Sequence, residues 1–225
     1  MEKKRVLLAD DHTIVRQGLR LLLETDPGIT VVGEAETGRQ ALDFTKRLRP
    51  DVVIMDIAMP VLNGLEATRQ ILREHPDIKI IILSSYDNEE YVLQMTEAGA
   101  VGYLLKRTAG MELIKAVHEV CRGTAVFSPA ISKRLLTLCH DAFVPGAAPR
   151  SKPVQALTSR EFEVLQLIAE GQSNKQIASE LFINIKTVDK HRQQLMSKLD
   201  IHDIAGLTRY AISRGVIECD QRLPA

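Results

Sequence analysis

The sequence predicts an α/β domain built on a parallel sheet, followed by a smaller all-helical domain. Three features point there. Five short apolar runs alternate with segments of helical period over the first 121 residues. A stretch of small, basic, Pro- and Gly-containing residues, VPGAAPRSKP, then interrupts the pattern. Beyond it, helix-capping signals recur and the last third reads as helical throughout. A length of 225 residues suits two domains, each able to bury its own core.

The runs Val6–Ala9, Thr30–Gly33, Val52–Met55, Ile80–Leu83 and Val101–Leu105 are rich in Val, Ile and Leu. Short continuous apolar runs read as strands buried on both faces. Five of them alternating with five helices imply a parallel sheet covered on both sides. Ile14, Val15, Leu19, Leu22 and Leu23 make one helical stripe, and Leu113, Ile114, Val117 and Val120 another. In such sheets the site lies beyond the carboxyl ends of the strands, where the strand order switches. Ser128–Pro129 reads as an N-cap and first helical residue, opening a helix over Ala130–His140.

In the last third, Thr158 with Glu161 makes a capping box, and Leu157 with Phe162 suits a hydrophobic staple. Gly171 stops that helix. Ser173 with Gln176 opens a second helix, Asn184 caps a third running to about Leu199, and Asp203 caps a fourth ending before Gly215. The expected organisation is therefore a domain over residues 1–122, a linker over 123–153, a helical domain over 154–217 and a tail over 218–225.

Hydrophobic residues at 45% and charged residues at 26% are ordinary for a soluble globular protein. No run reaches the roughly eighteen apolar residues of a membrane span. The apolar stretch after the N-terminal basic residues stops at Asp10, too early for a signal-peptide core. The expectation is a cytoplasmic protein with no membrane partner. Cys121, Cys139 and Cys219 are widely spaced and read as reduced thiols. The zero net charge hides an asymmetry: residues 1–121 carry 15 Lys+Arg and 19 Asp+Glu, while 122–153 carry 5 and 1. Residues 154–217, with 8 and 7, are barely basic. Nucleic-acid contact there must rest on local placement of charge.

Asp10 and Asp11 follow the first strand and Asp56 the third. Parallel packing brings those ends together, and a hard divalent cation such as Mg²⁺ would relieve the repulsion among three carboxylates. Each aspartate alone reads as a helix cap or strand end. Ser84 after the fourth strand and Lys106 after the fifth change the balance. A hydroxyl and an ammonium there suit the oxygens of a phosphoryl group held on Asp56.

The set Asp10-Asp11, Asp56, Met59-Pro60, Gly64, Ser84, Tyr103 and Lys106 resembles the signature of response-regulator receiver domains, over about residues 4–121. The resemblance implies a flavodoxin-like (CheY-like) five-stranded sheet. It also implies that Asp56 is the nucleophile, taking a phosphoryl group from a sensor histidine kinase as an acyl phosphate. Asp11, Asp56 and the backbone carbonyl of Ala58 would bind Mg²⁺, with Asp10 acting mostly through metal-bound water. Lys106 would pair with the phosphoryl group, Ser84 would swing in to hydrogen-bond it, and Tyr103 would fill the vacated space.

The third C-terminal helix carries Lys186, Lys190, Gln193 and Ser197 on one face, while Val188, Leu195 and Leu199 pack inward. A capped helix joined to it by a short turn suits insertion into a major groove. The stretch from Leu157 to Leu199 resembles the LuxR-type (NarL/FixJ) helix-turn-helix of four helices, with Glu161, Gly171, Asn174, Ile177, Ala178, Leu181, Thr187, Val188, His191, Lys198 and Leu199 fitting the pattern. It implies binding to double-stranded promoter DNA. Lys186, Thr187, Lys190, His191 and Arg192 are candidates for phosphate or base contacts, and Asp189, Lys190 and Gln193 stand at base-facing positions. Many members carry lysine where Asp189 stands. A carboxylate accepts from cytosine N4 but is repelled by phosphate. The fourth helix, through Ile204, Leu207, Thr208 and Ala211, resembles the family's dimerisation helix, which implies a homodimer when phosphorylated. RNA polymerase is a further candidate partner.

Two other readings compete with this one. Haloacid-dehalogenase-like phosphatases need a second aspartate where this chain has Ala58, and the P-loop motif is absent. A receiver whose output is protein binding is the other, and the helix-turn-helix pattern argues against it. The expectation is a DNA-binding regulator rather than an enzyme.

Overall fold

The computed structural model describes residues 2–85, 89–133 and 157–217, and the chain divides into an N-terminal α/β unit and a C-terminal helical unit. The first unit is a parallel sheet of β1 (Lys4–Ala9), β2 (Ile29–Ala35), β3 (Val52–Met55), β4 (Lys79–Ser84), β5 (Gly102–Leu105) and β6 (Val126–Phe127), in the order β2-β1-β3-β4-β5-β6. All residues of β3 and β5 are buried, as continuous apolar runs require. The sheet has six strands, one more than the sequence predicts. The addition, β6, pairs Val126 with Gly102 and Phe127 with Tyr103. Two residues are too few to display a period, and they lie in the stretch read as linker.

Five helices cover the sheet: α1 (Thr13–Leu23), α2 (Gly38–Leu48), α3 (Gly64–Glu74), α4 (Glu89–Glu97) and α5 (Ala109–Cys121). Thr37 caps α2 by accepting from Gln40 N, and Asn63 caps α3 by accepting from Glu66 N. On one side of the sheet Leu113, Val117 and Val120 of α5 and Leu23 of α1 pack on Val6, Leu8, Ile54, Ile81 and Leu104. The α1 stripe is corrected at one position. Ile14 is 86% exposed, whereas Leu19 and Leu22 pack on the core. Ile14 lies one residue out of phase with Val15, Leu19 and Leu22, so it shares an outer face with Leu21, also exposed. After β6, residues 129–133 are helical, with Ser132 N bonded to Ser128 O at 2.9 Å. The rest of the expected helix to His140, the VPGAAPRSKP segment, Cys139, Cys219 and the tail lie outside the described residues.

The second unit contains α6 (Ser159–Ala169), α7 (Asn174–Glu180), α8 (Ile185–Leu199) and α9 (Ile204–Ser213). Thr158 with Glu161 and Ser173 with Gln176 form reciprocal capping boxes, Asn184 accepts from Thr187 N, and Asp203 accepts from Gly206 N. Gly171 stands at φ +82°, the left-handed conformation that ends α6. Val164, Leu167, Ile168, Ile177, Val188, Leu195, Leu207 and Ala211 form the core. Glu161, nearly buried, accepts from Lys198 Nζ at 2.6 Å and so ties α6 to the end of α8. Burial alone would raise the Glu161 pKa, but Lys198 and the Thr158 backbone hold it below the usual carboxylate value.

Gly64 fixes the loop that follows β3. Its N–H donates to Ile57 O at 2.7 Å, and a Cβ there would lie 1.9 Å from the Asp56 carbonyl oxygen. That neighbour is backbone and cannot rotate away. Gly64→Ala is expected to lower stability by roughly 1–3 kcal/mol, the usual scale of overpacking. Urea unfolding at neutral pH measures this, and an unchanged midpoint contradicts the close approach.

Candidate functional site

The strand order reverses direction between β1 and β3, the position where open α/β sheets bind ligands. Asp10 follows β1 and Asp56 follows β3, and Asp56 N donates to Ala9 O at 2.8 Å, which locks the two strand ends together. Lys106 follows β5. Its ammonium donates to Asp56 Oδ2 at 2.8 Å and lies 2.7 Å from Asp10 Oδ2. Asp56 Oδ1 accepts from Ile57 N at 2.9 Å, and Asp10 Oδ1 accepts from His12 N at 2.9 Å. Asp10 and Asp56 are only 2% and 5% exposed, while Asp11 is open to solvent.

Burial pushes the Asp56 carboxyl up, Lys106 pulls it down and Asp10 adds repulsion; the balance leaves its pKa at about 7. For Lys106, burial works against the charge, but the Asp56 and Asp10 carboxylates outweigh it and its pKa is raised. A buried carboxyl that ionises near neutrality, one lysine away from a second buried carboxylate, is a strongly perturbed cluster in a functional position.

Ser84 and Tyr103, the other expected site residues, lie on adjacent strands β4 and β5 and are 0% and 1% exposed. Tyr103 is thus fully buried. Ala58 lies in the loop directly after Asp56. Two residues escaped the sequence reading. His12 places Nδ1 2.7 Å from Asp11 Oδ1, and ligand atoms of Asp10, Asp11, His12 and Asp56 all lie within 4.8 Å of one another. Arg16, 4% exposed, donates to the Asp10 carbonyl at 2.7 Å and to Glu36 Oε1 at 2.5 Å. It holds the backbone of Asp10 from beneath. An arginine inside an otherwise apolar helical stripe was the available signal. The donor set is mostly carboxylate oxygen, the ligand type that suits Mg²⁺, and it could hold a metal ion.

In the helical unit, the outer face of α8 presents Lys186, Asp189, Lys190 and Gln193, all exposed; Thr187, His191 and Arg192 are half-buried. Val188 and Leu195 are fully buried and Leu199 packs on the core, as the sequence predicts. Asp189 and Arg192 are engaged inside the module. Asn174 Nδ2 donates to Asp189 Oδ1 at 2.5 Å, and Arg192 Nη1 donates to Asn174 Oδ1 at 2.8 Å. Among the described residues, His191 Nδ1 is buried without a hydrogen-bond partner. On α9, Leu207 and Ala211, which the resemblance places on the dimerisation helix, are 0% exposed and belong to the module's own core. The exposed apolar positions there are Ile204 and Ile212, with half-buried Thr208 between them, a stripe at four-residue spacing.

Residues 6–118 match the response regulator receiver domain, and residues 155–211 match the bacterial regulatory proteins of the luxR family. The chain belongs to the two-component response regulators that join a receiver to a LuxR-type DNA-binding domain. It is 41% identical over 207 residues to the transcriptional regulatory protein LiaR of Bacillus subtilis (strain 168), covering 92% of this chain and 96% of that one. A LuxR-family response regulator from Aurantimonas sp. SI85-9A1 superposes with a TM-score of 0.59 at 34% identity, over 62% of this chain and 99% of that one. RcsB from Salmonella enterica serovar Typhimurium, bound to promoter rprA in the presence of phosphomimetic BeF3-, matches with a TM-score of 0.55 at 27% identity, over 93% and 98%. These relatives are transcriptional regulators, not enzymes. Among the described residues, no helix is long and apolar enough to cross a membrane.

The pKa of Asp56 has a stability consequence with a definite sign. Its folded value of about 7 lies above the ordinary 3.8, so between those values the folded state keeps a proton that the unfolded state releases. Stability therefore falls as pH rises from about 4 to 7 and levels off above. Asp56→Asn cannot ionise. Without divalent ions it is expected to be more stable than the parent above pH 7, by an amount on the order of 1–4 kcal/mol that vanishes near pH 4. Urea unfolding across pH in EDTA measures this. A difference independent of pH contradicts the assignment.

Proposed function

We propose that the chain is a phosphorylation-controlled regulator of promoter DNA. Asp56 accepts a phosphoryl group from a sensor histidine kinase, and the LuxR-type module, over residues 154–217, responds by binding its operator. The observation that carries this is the Lys106 ammonium set between Asp10 and Asp56 at the switch in strand order. Asp56 ionises near neutrality, so a nucleophilic carboxylate is available at physiological pH. Once its oxygen bonds to phosphorus, the phosphoryl oxygens supply new anionic acceptors, and Lys106 exchanges a carboxylate partner for one of them. Ser84 provides a hydroxyl from the neighbouring strand end, and Tyr103, on the adjoining strand β5 two register positions before the partner of Ser84, repacks as the hydroxyl moves.

The carboxylates of Asp10, Asp11 and Asp56 fit Mg²⁺, with the Ala58 carbonyl as a further oxygen ligand. When bound, the ion would neutralise charge that builds up on the transferring group. Asp56 holds the phosphoryl group, Lys106 balances it, and Arg16 keeps the Asp10 backbone in place. Ile14 and Leu21, exposed on α1 just after Asp10-Asp11-His12, offer apolar surface for the kinase beside the pocket.

On the DNA side, Lys186, Thr187, Lys190, His191 and Arg192 are proposed phosphate or base contacts, with Asp189, Lys190 and Gln193 facing the bases. A module this close to neutral gains affinity by pairing. A homodimer through α9, formed on phosphorylation, would engage two half-sites with Ile204, Thr208 and Ile212 as its outward face. The site of action is the cytoplasm, where promoter-bound dimers could also meet RNA polymerase.

The test compares the full chain with Asp56→Ala in a gel shift on promoter DNA, with and without a small acyl-phosphate donor and Mg²⁺. The parent is expected to gain affinity on donor treatment by roughly 5- to 150-fold, the ordinary range for coupled sites. Its binding should weaken steeply with salt. An Asp56→Ala protein that gains as much as the parent overturns the proposal.

A further inference from the structure

The placement of Asp189 presents a physical problem. A carboxylate on the outer face of a helix that enters DNA is repelled by every phosphate nearby. The structure holds this carboxylate in one orientation. Asn174, the first residue of α7, donates from Nδ2 to Asp189 Oδ1 at 2.5 Å. Arg192, one turn further along α8, donates to Asn174 Oδ1 at 2.8 Å. The amide thus bridges a carboxylate and a guanidinium, with its donor toward one and its acceptor toward the other. Oδ1 is occupied, Oδ2 has no hydrogen-bond partner among the described residues, and the cation behind the amide offsets part of the negative charge. Lys186 and Lys190 stand exposed on the same outer face, on either side of Asp189 in sequence, placed to take phosphates.

We infer that Asp189, held by Asn174 and Arg192, is a specificity-determining residue that accepts a hydrogen bond from the exocyclic N4 amine of a cytosine in each half-site. The inference rests on the DNA-binding reading above. Base-edge chemistry selects cytosine. In the major groove only cytosine and adenine present an amine donor. Adenine places its N7 acceptor directly beside that amine, and a carboxylate, which is acceptor-only, is repelled there. The cytosine edge carries no such neighbour on its own base. Guanine and thymine offer O6, N7 and O4 acceptors at the same place and are rejected. Asn174 is a positioning residue: it touches no base and acts by fixing the carboxylate.

The test selects bound sequences from a randomised duplex pool with the full chain treated with an acyl-phosphate donor, beside Asp189→Ala, Asp189→Asn and Asn174→Ala. Asp189 is exposed, so its variants are expected to keep the fold, which circular dichroism checks. The parent should enrich one cytosine per half-site, and replacing that base should weaken binding roughly tenfold. Asp189→Ala should lose the preference at that position alone while binding nonspecific DNA at least as well as the parent. Asp189→Asn should shift the position toward adenine, whose N6 and N7 match a side-chain amide. Asn174→Ala should flatten the cytosine preference without creating another. An Asp189→Ala protein that still enriches the same cytosine overturns the inference and leaves the DNA-binding reading intact. Failure of the parent to bind duplex DNA at all overturns both.

Discussion

Two carboxylates almost closed off from water share a single ammonium, and the receiver is arranged around that imbalance. Asp10 and Asp56 are brought together because β1 and β3 are neighbours in the sheet and their ends are stitched by a backbone hydrogen bond. Both cannot be ionised at low dielectric without a cation between them. Lys106 supplies one charge against two, so the site remains electron-rich, and the proton on Asp56 is held until near neutrality. A site short of positive charge will take up a cation, a proton or, once Asp56 is modified, a rearranged set of partners. Those are separate states of one cluster, which is what a switch requires.

The scaffold makes this cluster rigid where it must be. Gly64 lets the loop after β3 return against the Asp56 backbone without a side chain in the way. Arg16 anchors the Asp10 carbonyl from inside α1 and spans to Glu36 at the end of β2. The pocket is therefore held by backbone contacts, and its side chains are free to change partners. In the helical unit rigidity serves another end. Four capped helices and the Glu161–Lys198 pair fix the pose of α8, so that its polar face presents a defined set of groups.

Much of this was legible in the sequence, for a physical reason in each case. Buried parallel strands must be continuous apolar runs, so the positions of Asp10, Asp56, Ser84 and Lys106 just past them could be read directly. Capping residues have local chemistry, so Thr158, Ser173, Asn184 and Asp203 marked the starts of their helices. Where the sequence misled, the signal was too short or depended on phase. Val126–Phe127 is a strand only because Gly102 and Tyr103 lie beside it. Ile14 is one residue off its stripe, and Leu207 and Ala211 turn inward because α9 completes the module's own core. Contacts between distant polar residues left no local trace: neither Arg16 beneath Asp10 nor Asn174 between Asp189 and Arg192 follows from spacing.

The shared-lysine cluster makes Asp56, and not the neighbouring Asp10 or Asp11, the group that takes the phosphoryl. The most direct measurement is peptide mass spectrometry of the full chain after reaction with an acyl-phosphate donor and Mg²⁺, with the labile acyl phosphate trapped by borohydride reduction. A single modified residue at Asp56 is expected, and none in an Asp56→Asn protein. Modification at Asp10 or Asp11 in the parent, or an unmodified Asp56 under the same treatment, contradicts it.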